Sequence, residues 1–113
     1  MNRSEVKNGE INKLENHRNM ANIGFYYTIK DGHEKEFEDT FQATVEFLEL
    51  NADGYREAHL YREVGKNQYM ILSLWDSVES FSDFVKSREF VEVTKFGKSI
   101  VEGRPYHKIF MDY

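Results

Sequence analysis

Three polar side chains on predicted β-strands could take part in chemistry: Asn22, His59 and His107. An imidazole titrates near neutral pH, so either histidine could act as a general base that removes a proton from a substrate. His107 alternates with Ile109 and Met111, which predicts that it shares a strand face with apolar residues. Each histidine could equally lie at the surface or at a contact between subunits. The histidine spacing matches no metal motif such as H-x-x-x-H, and we expect no metal site.

Aromatic residues form a second group that could build a site. Trp75 ends an apolar run, and Phe81 and Phe84 follow it at helical spacing. Set against Phe25 and Tyr27 on the first predicted strand, these rings would wall an apolar pocket suited to a flat ligand. The same residues could instead be core packing, which is the commoner role of an aromatic residue at a strand-to-helix corner.

Composition excludes several classes of function. The 113-residue chain has no cysteine, which excludes disulfides, thiolate metal ligands and cysteine nucleophiles. The formal net charge is −5, and basic residues are scattered among acidic ones, so nucleic acid is not an expected partner. No apolar run reaches the roughly 18 residues of a membrane span, and the polar N-terminus lacks the apolar core of a signal peptide. We therefore expect no membrane association and a cytoplasmic location.

Hydrophobic periodicity predicts elements in the order β-α-β-β-α-β. Strict alternation of apolar residues predicts the strands, and apolar residues that recur every three or four positions predict the helices. Asp31 with Glu34, and Asp76 with Glu79, have the spacing of capping boxes at the two helix starts. The predicted strands are 22–30, 55–64, 68–75 and 106–113; the first helix is 33–52, and the second runs from Asp76 to about 96 with a break near 87.

This order predicts a ferredoxin-like α+β fold, an antiparallel sheet with helices on one face. Residues 21–113 would form this domain, and residues 1–20 a polar N-terminal extension. Aromatic and aliphatic residues occur on both sides of the predicted strands, so the second sheet face would expose an apolar patch. A face-to-face homodimer that closes two sheets into a barrel-like core would cover this patch.

A recognisable pattern begins at the Trp75 corner. The segment from Trp75 to Phe90 reads W-x-S-x-x-x-F-x-x-[WF]-x-x-S-x-x-F, and Gly54 opens the second strand. On these residues, the region of about 22–113 is similar to the antibiotic biosynthesis monooxygenase family of dimeric α+β barrels. That family includes a haem-degrading branch.

The resemblance implies an oxidoreductase that oxygenates a hydrophobic aromatic molecule held between the sheet and the helices, without a cofactor. In the haem-degrading branch, a tryptophan, a histidine and an asparagine carry the activity, and by position they fall on Phe84, on Thr94 and on Phe25 or the adjacent Gly24. A threonine has no imidazole nitrogen to bind haem iron, so the usual haem ligand is missing.

Combining the resemblance with the residue patterns gives a candidate site. Two alternatives to the oxygenase stay open: a haem-binding or haem-degrading protein, and a non-catalytic ligand-binding or stress-associated dimer. The candidate catalytic residues are Asn22, His59 and His107, and the candidate substrate-binding residues are Phe25, Tyr27, Trp75, Phe81, Phe84 and Thr94.

Overall fold

Residues 20–112 are described by a computed structural model, apart from the side chains of Glu89, Val93 and Phe96. They form a four-stranded antiparallel sheet with the strand order β2-β3-β1-β4 and with helices on one face, which confirms the ferredoxin-like α+β fold. The predicted extension, residues 1–20, lies outside the described residues except for Met20. In chain order the elements are β1 (Ala21–Ile29), α1 (Glu34–Asn51), β2 (Tyr55–Arg62), β3 (Gln68–Trp75), α2 (Val78–Val85), α3 (Arg88–Gly97) and β4 (Val101–Met111).

The two-residue side-chain period of β1 and β3 divides the sheet into two faces. These central strands pair along their length, with Phe25 opposite Ile71 and Tyr26 opposite Met70. Residues directly opposite each other share a face, so odd-numbered residues of both strands face the helices and even-numbered residues face away. Trp75, on the helix side, is 2% exposed.

Strand β4 begins at Val101, five residues before the predicted start at Tyr106. The segment Gly103-Arg104-Pro105, which has the composition of a turn, lies inside the strand. Pro105 is tolerated because β4 is an edge strand, where a missing N–H leaves no partner unpaired. Gly103 has φ +72°, and the pairing with β1 shifts register nearby, so the glycine accommodates a bulge.

The N-terminal cap of α2 differs from the predicted Asp76 and Glu79 box. Ser77 is the N-cap, and its hydroxyl accepts a hydrogen bond from the Ser80 N–H at 3.0 Å. The Ser80 hydroxyl lies 3.2 Å from the Ser77 N–H and completes a capping box one residue later in the chain. Asp76 instead pairs with the Arg56 guanidinium on β2.

The predicted Asp31 and Glu34 box at the start of α1 also does not form. His33 precedes the helix and makes no side-chain cap hydrogen bond. The Glu34 carboxylate accepts from the Gly32 N–H at 3.3 Å, and the Asp31 carboxylate accepts from the Asn67 amide. These carboxylates therefore stabilise the turn before the helix rather than the helix end.

The indole of Trp75 holds α2 against the sheet. It packs on Phe81 and Phe84 of α2, with ring centroids 5.6 and 5.3 Å away. A buried indole N–H needs an acceptor, and the Ser73 hydroxyl provides it at 3.1 Å. Ser73 is itself buried and donates to the Ile23 carbonyl at 3.4 Å.

The sheet face that points away from the helices is partly exposed and carries several large aromatic residues. Tyr61, Tyr106 and Phe110 are 50%, 56% and 48% exposed, far more than the core residues. Tyr26 stacks on Tyr106 with ring centroids 4.9 Å apart. The Tyr26 hydroxyl also lies 3.0 Å from where a Cβ on Gly24 would stand, so this glycine lets the ring lie flat on the strand.

Gly54 provides a test of the β2–α2 contact. Its φ is +85°, and an added Cβ would lie 2.5 Å from the Ser80 Cβ. We expect Gly54→Ala to lower the free energy of unfolding by about 2–4 kcal/mol, because the strain of a left-handed residue adds to overpacking. Gly32→Ala is the matched control, since φ is +87° with no atom within 4 Å, and only the strain of about 1–2 kcal/mol applies. Equal losses in urea unfolding would contradict the proposed contact.

Candidate functional site

A cavity of about 440 Å³ lies between the helix-facing side of the sheet and the three helices α1, α2 and α3. This volume is within the usual range of small-molecule sites, roughly 300–1,000 Å³. Among the described residues that line it, Lys98 is the one with a fixed formal charge. The aromatic residues of the lining are Phe25, Tyr27, Phe37, Phe41, Trp75, Phe81, Phe84, Phe90 and Tyr106.

The six predicted substrate-binding residues all line this cavity. Phe25 and Tyr27 come from β1, and Trp75 comes from the end of β3. The rings of α2 and α3 meet at an edge-to-face contact between Phe84 and Phe90, with centroids 5.6 Å apart. The space around Phe25, Phe84 and Thr94 is therefore open and not filled by the phenylalanine side chains.

His107 is the predicted catalytic residue that the structure places at the cavity. It lies on β4 directly opposite Phe25, and its ring centroid is 5.4 Å from that of Phe25 and 5.7 Å from that of Phe81. No hydrogen bond involves its imidazole in the part of the chain that the structure describes. A ring nitrogen is thus free to accept a proton or a hydrogen bond from a bound molecule.

Asn22 and His59 lie on the opposite face of the sheet. The Asn22 amide donates to the Phe110 carbonyl at 3.5 Å. His59 is exposed, and its Nε2 lies 3.1 Å from a carboxylate oxygen of Glu57. Neither residue lines the cavity, so neither can act on the same bound molecule as His107.

A bulge at the start of β2 corrects the predicted faces of that strand. Alternation places Tyr55 on the same face as His59, but the pairing with β3 shifts register between Tyr55 and Glu57. Tyr55 therefore faces the helices, where its ring centroid is 5.6 Å from that of Trp75. Alternation along the sequence does not predict the sheet face of a side chain across such a bulge, because the extra residue places the following side chains on the other face.

Threonine hydroxyls supply much of the polarity of the helix side of the cavity. Thr40 and Thr44 of α1 donate to the carbonyls of Glu36 and Thr40, both at 2.8 Å. Thr94 of α3 donates to the Phe90 carbonyl at 2.9 Å. Because each proton is already donated within a helix, these oxygens can offer a ligand only their lone pairs. Thr40 and Thr44 were not predicted to line a site, although they lie four residues apart and so share one face of α1.

Three tyrosines of the sheet have raised pKa values, and those of Tyr27 and Tyr69 are raised most. Burial raises the pKa of Tyr27 to about 12. Burial and a hydrogen bond from the Tyr69 hydroxyl to the Glu38 carboxylate, at 2.8 Å, raise the pKa of Tyr69 to about 12. Both phenols are therefore protonated at neutral pH. Tyr69 does not line the cavity, whereas Tyr27 does.

Within residues 20–112, no three side chains of His, Cys, Asp or Glu come together in a way that could hold a metal ion. None of the helices in that part of the chain is both long enough and apolar enough to cross a membrane.

A family model matches more than half of the chain. The model of the family described as antibiotic biosynthesis monooxygenase matches residues 20–95. This range contains β1 to β3 and most of the broken helix pair.

Curated relatives come from haloarchaea. A protein of Haloquadratum walsbyi named a "putative heme-binding protein" is 33% identical over 89 residues, which is 78% of this chain. A protein of Haloarcula marismortui with the same description is also 33% identical over 89 residues. The matched region is 17% and 13% of these relatives' length, so the chain corresponds to a small part of each.

Solved structures share the fold. A conserved protein of Methanosarcina mazei has a TM-score of 0.77 at 15% identity, covering 88% of this chain and 99% of that one. SnoaB of Streptomyces nogalater, described as a cofactor-independent oxygenase, has a TM-score of 0.74 at 21% identity, covering 84% of this chain and 94% of that one. At these identities the likeness establishes the fold alone.

Proposed function

Because the chain belongs to the antibiotic biosynthesis monooxygenase family, we propose that it oxygenates a flat, hydrophobic aromatic molecule in the cavity between the sheet and the helices, without a bound cofactor. The observation that carries this proposal is the free imidazole of His107 at the wall of an open, aromatic-lined cavity. An apolar pocket with few polar groups is the usual form of a small-molecule site.

His107 acts as the general base in this proposal. It takes a proton from an acidic C–H of the substrate that is conjugated with an aromatic ketone, and leaves a carbanion whose charge spreads to the carbonyl oxygen. The carbanion transfers electrons to O₂, a C–O bond forms, and the peroxide takes the proton back from His107 to give a hydroperoxide. Loss of water then leaves a carbonyl group. One CH₂ and one O₂ become one C=O and one H₂O, so no external reductant is needed.

The cavity walls orient the substrate. Aromatic rings above and below a flat molecule hold its plane. The hydroxyl oxygens of Thr40, Thr44 and Thr94 accept hydrogen bonds from phenolic O–H groups, since their own protons are donated within helices.

Binding and turnover can be tested with 1,8-dihydroxyanthrone, which has an acidic CH₂ group and two phenols. The chain has one tryptophan, and Trp75 lies in the cavity wall, so binding should change its fluorescence. We expect one O₂ consumed per anthrone oxidised. His107→Ala should lower kcat by about 10²–10⁴-fold, the usual contribution of a general base, with little change in affinity.

His59→Ala is the matched control for this experiment, because His59 lies on the opposite sheet face, and its activity should equal that of the native protein. A loss in His59→Ala but not in His107→Ala would contradict the assignment of the base. Binding without O₂ uptake would favour the non-catalytic ligand-binding alternative, and no binding would contradict both.

Haem binding is a second candidate, favoured by the names of the haloarchaeal relatives. Thr94 cannot replace an axial imidazole, and its hydroxyl is bonded within α3. His107 fits the role instead, because it presents an imidazole without a competing hydrogen bond to an apolar, aromatic-lined cavity. Bound haem would supply one-electron and O₂ chemistry at this site.

Haemin titration tests this second candidate. If His107 ligates the iron, the native protein should shift the Soret band, and His107→Ala should lose the shift because no other described histidine lines the cavity. Thr94→Ala is the control and should keep the shift. No shift in the native protein, or the same shift in His107→Ala, would contradict ligation by His107.

A second copy of the chain covers the open sheet face in our proposal. Tyr61, Tyr106 and Phe110 are half-exposed there, and Leu72, in the middle of β3, faces the same side. Apolar surface of this kind is typical of an interface between subunits. Residues 21–113 form the unit that pairs.

Light scattering at micromolar concentration should give the mass of a dimer for the native chain. Leu72→Lys should produce a monomer, because it buries a charge at the centre of the interface. Leu50→Lys is the control, since Leu50 is 85% exposed on α1, and it should remain dimeric. A monomeric native protein would contradict the proposed dimer.

A further inference from the structure

The hydroxyl of Tyr27 has no hydrogen-bond partner among the residues that the structure describes. Its ring is held on two sides, stacked on Phe25 with centroids 6.3 Å apart and tilted against Phe37 at 5.3 Å. No buried side-chain oxygen or nitrogen of the described residues lacks a partner, so the unpaired Tyr27 oxygen must reach open space. Tyr27 faces the helices and lines the cavity.

The hydroxyl of the neighbouring Tyr69, unlike that of Tyr27, has a hydrogen-bond partner within the protein. Tyr69 lies directly opposite Tyr27 across β1 and β3, and Phe37 packs on both rings. The Tyr69 hydroxyl donates to the Glu38 carboxylate at 2.8 Å. The Tyr27 hydroxyl makes no such bond, so its proton is available to a molecule bound in the cavity.

Tyr27 and His107 both contact the ring of Phe25. Phe25 stacks on Tyr27, and its ring centroid is 5.4 Å from that of His107. The sheet wall of the cavity therefore carries a proton acceptor and a proton donor next to one phenylalanine. By contrast, the threonines of the helix wall can only accept hydrogen bonds from a ligand.

We propose that Tyr27 is a second catalytic residue, whose O–H donates a hydrogen bond to the substrate oxygen on which negative charge develops when His107 removes the proton. The inference rests on the proposed function and assigns a further residue to the same reaction. The proton of Tyr27 is shared and not transferred, so the oxyanion is stabilised without a change in the tyrosine's charge. Burial keeps Tyr27 protonated, since it raises its pKa to about 12.

The first test is turnover of 1,8-dihydroxyanthrone by Tyr27→Phe. Only the hydroxyl is removed, so the packing on Phe25 and Phe37 is retained. We expect kcat to fall by about 10²-fold, the usual effect of losing one oxyanion donor. KM should stay within about threefold, because the interaction strengthens only as charge develops.

The second test measures the ionisation of the bound probe without O₂, where no turnover occurs. A donor at the oxyanion should lower the pKa of the bound anthrone, and the absorbance of its anion reports this directly. We expect the ratio of ionised to neutral bound anthrone at a given pH to be roughly tenfold to hundredfold smaller in Tyr27→Phe than in the native protein. A purely structural role of Tyr27 would not change this ratio.

Tyr69→Phe is the matched control, since it removes the hydroxyl that is already bonded to Glu38. It should unfold at lower urea concentration but keep native kcat and native ionisation of the bound probe. Native values of both readouts in Tyr27→Phe would overturn the proposal. Binding without O₂ uptake would contradict the oxygenase function and with it a catalytic role of Tyr27, whereas the anaerobic readout would still show whether the Tyr27 hydroxyl donates to the oxyanion of the bound probe. No binding by the native protein would overturn both.

Discussion

The buried indole of Trp75 is the interaction on which the arrangement of the cavity depends. Its N–H is bonded to Ser73, which reaches back to the carbonyl of Ile23 on β1. The indole therefore joins the two central strands and presents its ring to Phe81 and Phe84. Because α2 is held at this point, and its capping serines lie just after the strand, the broken helix pair is directed across the sheet and leaves room beneath it.

Much of the fold could be predicted because its signals are local. The pattern of apolar residues predicted β1 and β3. The change from a continuous apolar run to helical spacing after Trp75 predicted the strand-to-helix corner. The start of β4 could not be predicted, because Gly103 and Pro105 have the composition of a turn, and only the edge position makes them acceptable in a strand. The capping boxes were misplaced where several polar side chains compete, since Ser77 and Asp76 are both good caps in sequence.

The candidate site could be predicted in part. The aromatic lining followed from residue type and spacing, and His107 followed from its alternation with apolar residues. His59 could not be distinguished from it, because a strand pattern does not say which of two faces is covered by helices. The free hydroxyl of Tyr27 had no signal in the sequence: Tyr27 and Tyr69 are both tyrosines on apolar strand faces, and only the position of Glu38 separates them.

In this proposal the polar groups that act on the substrate lie on the sheet and not on the helices. By the family resemblance, the histidine of the haem-degrading branch falls on Thr94, whose proton is used within α3, and the imidazole stands on β4 instead. A strand pair holds such groups firmly, because ladder hydrogen bonds fix the backbone, and Phe25 contacts both His107 and Tyr27. Few polar groups are needed in so apolar a cavity, since O₂ requires no polar contact and a well-placed donor acts on the charge as it develops. The proton of Tyr69 is bonded to Glu38, whereas the proton of Tyr27 is left for a molecule in the cavity, so two tyrosines of one strand pair have different roles in the proposed site.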